Sequence, residues 1–175
     1  MKKIAMFVLL GAFGFGLGWA IGGGLLVLEE PYLGFPISGA IGGASLGLAL
    51  DGWKKAGILA LACAVGFGFG LLVAFFIVLA VWEPPGHVEG LFIGAVGGAL
   101  GGASLGLTFR SWRKAGFLTL AGALGFGIAG QVSWDLFRSS DASMVGAVSK
   151  VAIWGLVGGA FLGAALGYLE RRKKD

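Results

Sequence analysis

Six long runs of apolar residues follow one another along this chain and restrict the folds open to it. The first contains 25 residues, and a helix of that length, rising about 1.5 Å per residue, crosses the ~30 Å hydrocarbon core of a bilayer. Because a helix pairs its own backbone polar groups inside lipid, the pattern predicts an all-α membrane protein with six transmembrane helices. The runs cover residues 4–28, 32–50, 56–82, 90–109, 115–134 and 144–169.

Two of these runs have alternative interpretations. Pro36 leaves only 14 apolar residues after it in the second run; since proline is tolerated in a first helical turn, we expect a short or kinked span. The first run, preceded by Lys2 and Lys3, also resembles a secretory signal peptide. It aligns with two later runs, so we expect it to be retained.

The composition limits the chemistry available to the chain. Hydrophobic residues make up 57% of it and charged residues 13%, which is far from the balance of a water-soluble domain. The single cysteine and single histidine do not suffice for a disulfide framework, a Cys/His zinc site or a catalytic triad with a spare member. We therefore predict a protein that is not an enzyme and carries no cofactor and no bound metal.

Basic residues cluster at alternate junctions between the runs. These clusters hold 11 of the 13 Lys and Arg residues, while the opposite junctions are mainly acidic. The positive-inside rule then predicts that both termini are cytoplasmic, and the simple topology is typical of a prokaryotic plasma (inner) membrane. The net charge of +4 is accordingly a topology signal and indicates no nucleic-acid partner. The clusters are Lys2 and Lys3; Lys54 and Lys55; Arg110, Arg113 and Lys114; and Arg171, Arg172, Lys173 and Lys174.

The sequence contains an internal repeat. Residues 39–70 align without a gap on residues 98–129, at an offset of 59 and with 20 of 32 positions identical. A third copy is indicated because residues 157–166 match residues 41–50 at 7 of 10 positions. Each copy contains a span with the motif GFG, an outer turn and a returning span.

The repeat predicts one transmembrane domain, residues 1–175, built from the units 2–53, 54–112 and 113–174. Each unit holds two spans, so all three have the same orientation in the membrane. We expect three tandem helical hairpins around a pseudo-threefold axis that runs along the membrane normal. Three inner helices about 8 Å apart would leave essentially no open bore along that axis.

Glycine recurs at every fourth position and forms one face of each even-numbered span. Such faces let helix backbones approach closely, which is the glycine-zipper mode of packing in membranes. They hold the three hairpins together within one chain, or a second face contacts other copies or partner subunits. The predicted packing residues are Gly39, Gly43, Gly47, Gly98, Gly102, Gly106, Gly155, Gly159, Gly163 and Gly167, with Gly14, Gly18, Gly66, Gly70 and Gly125 in the odd-numbered spans.

Few polar residues are candidates for ligand binding. Lys150 lies within an otherwise apolar run; we expect it to reach the outer interface, and the functional alternative is contact with a carboxylate or a lipid headgroup. Glu83, His87 and Glu89 share one outer turn, which is a solvated polar turn or else a weak site for a divalent metal or an acid/base pair.

These observations favour a non-enzymatic membrane subunit that assembles with partner membrane proteins, or with copies of itself, through its glycine faces. The alternative is a homo-oligomeric pore or facilitator for a small, weakly polar solute. A membrane enzyme would depend on the His87 turn alone.

Overall fold

The computed structural model describes residues 2–27, 31–80, 88–139 and 144–172. Every helix, of 19 to 28 residues, contains a stretch apolar and long enough to cross a membrane. The described residues therefore confirm the prediction of an all-helical fold with six helices long and apolar enough to span a membrane. The helices are α1 (Lys2–Val27), α2 (Pro31–Asp51), α3 (Trp53–Ala80), α4 (Glu89–Leu107), α5 (Trp112–Ser139) and α6 (Met144–Arg171).

Helix α2 passes through Pro36 and is longer than the sequence alone suggested. It starts at Pro31, so Pro36 lies inside the helix and not in its first turn. Pro36 is the sixth residue of α2, beyond the four N–H groups that lack a partner at a helix start, so it removes one backbone hydrogen bond. Its ring also has space, because the Cγ of Pro36 lies over Gly68 of α3, where there is no side chain.

The helices form a closed ring in chain order. Each helix contacts the next one, and α6 returns to α1 in the most extensive contact of all. The contacts between hairpins, α2 with α3, α4 with α5 and α6 with α1, are each more extensive than those within a hairpin.

The turn between α2 and α3 contains Gly52 at a φ of 78°, a left-handed conformation that glycine adopts at little cost.

The centre of the ring is filled by aromatic side chains. Phe15, Phe67 and Phe126 approach one another with ring centroids 4.8 to 5.6 Å apart. Next to them, the indoles of Trp19 and Trp154 stack at 4.6 Å. All five side chains are buried. The outward faces of the helices are also apolar, as is usual for surfaces that lipid covers.

Candidate functional site in the helix interfaces

The glycines of α2 and α4 lie against the helix that follows each of them. Their missing side chains let backbone meet backbone: a Cβ at any of these six positions would meet backbone atoms of the next helix. Such close approach gains the dispersion contacts that replace hydrophobic attraction in lipid. The pairs are Gly39 with Cys63, Gly43 with Leu59, Gly47 with Ala56, Gly98 with Gly122, Gly102 with Leu118 and Gly106 with Ala115.

The glycines of α6 make the same kind of contact with α1, and this closes the ring. The four positions follow one another down the helix, and their contacts run in the opposite direction along α1. The glycines that recur at every fourth position of the even-numbered helices therefore lie between hairpins. The pairs are Gly155 with Phe15, Gly159 with Gly11, Gly163 with Phe7 and Gly167 with Ile4.

The five predicted packing glycines of the odd-numbered helices lie instead within hairpins, because a Cβ on each of them would meet the returning helix of the same hairpin. Other glycines of these helices, such as Gly11, Gly68 and Gly122, face a neighbouring hairpin. Two different glycine faces thus serve two different interfaces, and both interfaces are within this chain. The pairs are Gly14 with Ser45, Gly18 with Ser38, Gly66 with Ser104, Gly70 with Leu100 and Gly125 with Phe161.

Each central phenylalanine packs on a glycine of its own hairpin. The ring of Phe15 lies where a Cβ on Gly42 would be, and the same holds for Phe67 at Gly101 and Phe126 at Gly158. Because each ring packs on a glycine, the three rings meet at the centre of the ring of helices and fill it.

Beside this triad, one tryptophan is hydrogen-bonded and the other is not. Trp154 Nε1 donates to the backbone oxygen of Phe126 at 2.9 Å, and the indole occupies space left by Gly130. Within the part of the chain that the structure describes, Trp19 Nε1 is buried and has no acceptor. The two tryptophans were not predicted to stack, although a large residue facing a small one in the same hairpin was a sequence pattern that pointed to burial.

The small polar residues of the spans mostly bond to backbone oxygens. Ser45 Oγ lies 2.9 Å from the oxygen of Leu10 in α1 and 2.7 Å from that of Gly42 in α2. Ser38 was not singled out from the sequence; its hydroxyl lies 3.1 Å from the oxygen of Gly18 in α1 and 2.7 Å from that of Gly34 in α2, so it contacts both helices. These hydroxyls donate hydrogen bonds to backbone oxygens of the bundle, so few of their donors are left to bind a ligand.

The candidate ligand residues are described only in part. Lys150, which we expect to reach the outer interface, is 8% exposed, and its backbone oxygen accepts from Ser133 Oγ at 3.0 Å. Glu89 begins α4, whereas Glu83 and His87 lie outside the described residues. The described residues contain no group of three or more His, Cys, Asp or Glu side chains suited to a metal ion.

Comparison with protein-family models, curated proteins and solved structures finds no match to this chain.

Proposed function

We propose that this chain is a non-enzymatic polytopic membrane protein that serves as a structural or assembly subunit. It packs against partner membrane proteins, or copies of itself, through helix faces that its own bundle leaves uncovered. The observation that carries this proposal is a pair of exposed glycines, Gly57 in α3 and Gly116 in α5, over which a Cβ would meet nothing within 4 Å among the described residues.

The proposed architecture is three parallel hairpin repeats around a pseudo-threefold axis. Phe15, Phe67 and Phe126 occupy matching GFG motifs in the three units, and their mutual contacts support this arrangement. The contacts of the predicted packing glycines support it as well: those in the odd-numbered helices lie within a hairpin, and those in the even-numbered helices lie between hairpins.

The interior of the bundle favours a subunit over a catalyst. Most buried side chains are aromatic or aliphatic, with Ser38, Ser133 and Lys150 as the buried polar ones among the described residues. The glycines at the helix interfaces are already in contact with this chain's own helices. Transport and proton relay usually depend on ionisable groups at membrane depth. A partner must therefore contact the outward face, and the glycines available to it are those left open there.

Gly57 and Gly116 are suited to close contact with a partner helix. They occupy matching positions in the KAG segments of two repeat units, one turn into α3 and α5. An exposed glycine costs about 1 kcal/mol of helix stability relative to alanine, and a small residue at a helix contact offsets this cost by permitting close packing. Larger apolar residues adjoin each glycine, Ile58 and Phe117, and both are exposed.

We further propose that the bundle lies in a prokaryotic plasma (inner) membrane with both termini in the cytoplasm. The antiparallel order of the helices puts the basic starts of α1, α3 and α5 and the basic end of α6 at one end of the bundle. Trp53 and Trp112 are each 84% exposed at this end, as expected for residues at a membrane interface.

Co-purification tests the assembly role. Native membranes are solubilised in a mild detergent, and the mass of the untagged protein with everything bound to it is measured. We expect stoichiometric partner subunits, and we expect Gly57→Leu with Gly116→Leu to release them. The matched control is Gly24→Leu, which also adds a side chain at a glycine with open space above it but lies at the other end of the bundle. A lone monomer from native membranes would refute the proposal.

A homo-oligomeric pore is the less favoured alternative. The aromatic rings on the axis obstruct a path through one chain, so any conduction path would have to run between copies. Recovery of a homo-oligomer alone, together with solute flux in liposomes that contain only this protein, would favour the pore over the assembly subunit.

A further inference from the structure

An apolar groove runs between α5 and α6 on the outside of the bundle. It has a volume of about 310 Å³ and is open on its outer side. The tilted rings of Phe117 and Tyr168, with centroids 5.8 Å apart, close its end near the start of α5 and the end of α6. Its principal lining residues are Phe117, Leu120, Leu124, Phe161, Ala164 and Tyr168.

Substitutions between the repeats explain why the groove lies in the third hairpin. Ala164 aligns with Leu48 and Leu107, whose larger side chains lie on the outer surfaces of the first two hairpins. Phe161 aligns with Ser45 and Ser104; it takes the place of a small hydroxyl against Gly125 and is 40% exposed. The small Ala164 on the outer surface and the bulky Phe161 between α5 and α6 leave open the space that Leu48 and Leu107 occupy in the other two hairpins.

Two arginines lie at the closed end of this groove. Arg113 comes one helical turn before Phe117, on the same face of α5. Arg172 comes one turn after Tyr168: its backbone N–H donates to the Tyr168 oxygen at 3.2 Å, and its guanidinium lies 5.2 Å from the centre of the Tyr168 ring. The tyrosine thus positions one guanidinium where the apolar groove ends.

We propose that this groove binds one anionic phospholipid, with an acyl chain along its apolar wall and the phosphate between Arg113 and Arg172. Charge complementarity selects this occupant. Guanidinium groups form bidentate, charge-assisted hydrogen bonds with phosphate, and the groove below them offers only hydrocarbon contacts. A zwitterionic lipid would fill the same groove but would carry a choline or amine group toward the two arginines.

The proposed lipid site is independent of the assembly role. It predicts that the purified chain, alone in detergent and without any other subunit, prefers anionic to zwitterionic lipid headgroups. The second hairpin provides an internal comparison for lipid binding. Lys54 is its counterpart of Arg113, but it carries Leu107 at the position of Ala164 and so lacks the open groove.

Native mass measurement of the detergent-purified chain tests the site. The protein is titrated with dioleoyl phosphatidylglycerol or dioleoyl phosphatidylcholine, and the bound fraction is counted. We expect the first lipid to bind more tightly, and the double variant Arg113→Gln with Arg172→Gln to lose about fivefold in affinity per arginine for it. Ala164→Leu restores the sister residue and should weaken binding of both lipids.

Two matched controls separate the site from general effects. Lys54→Gln removes one positive charge at the equivalent place in another hairpin, and Ala80→Leu adds the same atoms as Ala164→Leu at an exposed position on α3. Both should bind phosphatidylglycerol like the unmodified chain. Should Ala164→Leu fail to fold, the arginine variant still decides the question, because it changes only exposed side chains.

Three results would overturn the proposal. One is equal affinity for the two lipids in the unmodified chain, and another is unchanged phosphatidylglycerol binding in the arginine variant. The third is efficient cross-linking between two copies through Phe161→Cys in native membranes, since a second copy would then occupy the groove in place of lipid.

Discussion

The indole Nε1 of Trp154 in α6 donates a 2.9 Å hydrogen bond to the backbone oxygen of Phe126 in α5. The other buried indole, that of Trp19 in α1, has no acceptor within the described residues. The two rings stack on each other, so they share one environment and differ in this hydrogen bond.

Replacement of each tryptophan by phenylalanine therefore isolates the hydrogen bond. Trp154→Phe loses packing area and the bond, whereas Trp19→Phe loses packing area alone. We expect Trp154→Phe to lower the free energy of unfolding by about 1 kcal/mol more than Trp19→Phe does. Thermal or denaturant unfolding in detergent measures both. Equal losses would mean that the Trp154 bond contributes nothing to stability.

The glycine faces predict opposite effects for the same substitution at two sites. A Cβ at Gly102 would collide with the carbonyl of Leu118, so Gly102→Ala should push α4 and α5 apart and cost about 1–3 kcal/mol. Gly116 has open space above it, and Gly116→Ala should be neutral or raise stability by up to about 1 kcal/mol through helix propensity. Unfolding midpoints in detergent measure the difference, and a destabilised Gly116→Ala with a stable Gly102→Ala would contradict the packing.

Contact between the first and last helices predicts a specific disulfide. A Cβ on Gly23 would lie 3.2 Å from the Cβ of Val151, a few tenths of an ångström short of the usual separation in a disulfide, about 3.8 Å. In a chain with Cys63→Ala, the pair Gly23→Cys and Val151→Cys should oxidise within one molecule. The shift in gel mobility on oxidation measures this.

The neighbouring glycine provides the control for that experiment. A Cβ on Gly24 would have nothing within 4 Å, so Gly24→Cys with Val151→Cys should remain reduced under the same conditions. Equal oxidation of both pairs would show that α1 and α6 slide or rotate freely and that the ring is not closed as described.

The central triad predicts a contrast between two phenylalanines of α3. Phe67 is 1% exposed and meets the other two rings, while Phe69 is 62% exposed. Phe67→Ala should leave a cavity and lower stability by about 2 kcal/mol or more. Phe69→Ala should have little effect, because lipid or detergent fills the space. Similar losses at both positions in an unfolding experiment would contradict the buried triad.

Much of the helical framework was predictable from the sequence, and the reasons are local. The apolar runs and the basic junctions indicated approximately where the six helices begin and end. Two differences are that Pro36 was placed too close to the start of α2 and that α5 continues to Ser139, five residues past the predicted end of its run at 134. A Cβ at the glycines chosen by their spacing would meet a neighbouring helix. Which helix each one contacts was not predictable, because every helix carries a face of glycine or other small residues at every fourth position and any two such faces can pack together.

Several residues of the core gave no recognisable signal. Ser38 contacts the backbone of α1. Its counterparts in the other repeats are Gly97 and Trp154, and three such different residue types gave no sign that the position is buried in each hairpin. Lys150 looked like a residue that would extend to the membrane surface, and its burial follows from the packing of α6 against α5 near Ser133. Such positions depend on the volumes of neighbouring side chains and not on the residue type alone.

Hydropathy and run length are enough to predict six apolar helices, because a backbone in lipid must pair its own polar groups and only segments of this length and hydropathy meet that requirement. The face of each helix that points to the core follows instead from how the helices pack. In a soluble protein, hydropathy distinguishes inside from outside, but here both surroundings are apolar, and Phe67 and Phe69 look alike to any hydropathy scale. The choice between them depends on close packing: a ring faces inward where a glycine on the opposite helix leaves space for it.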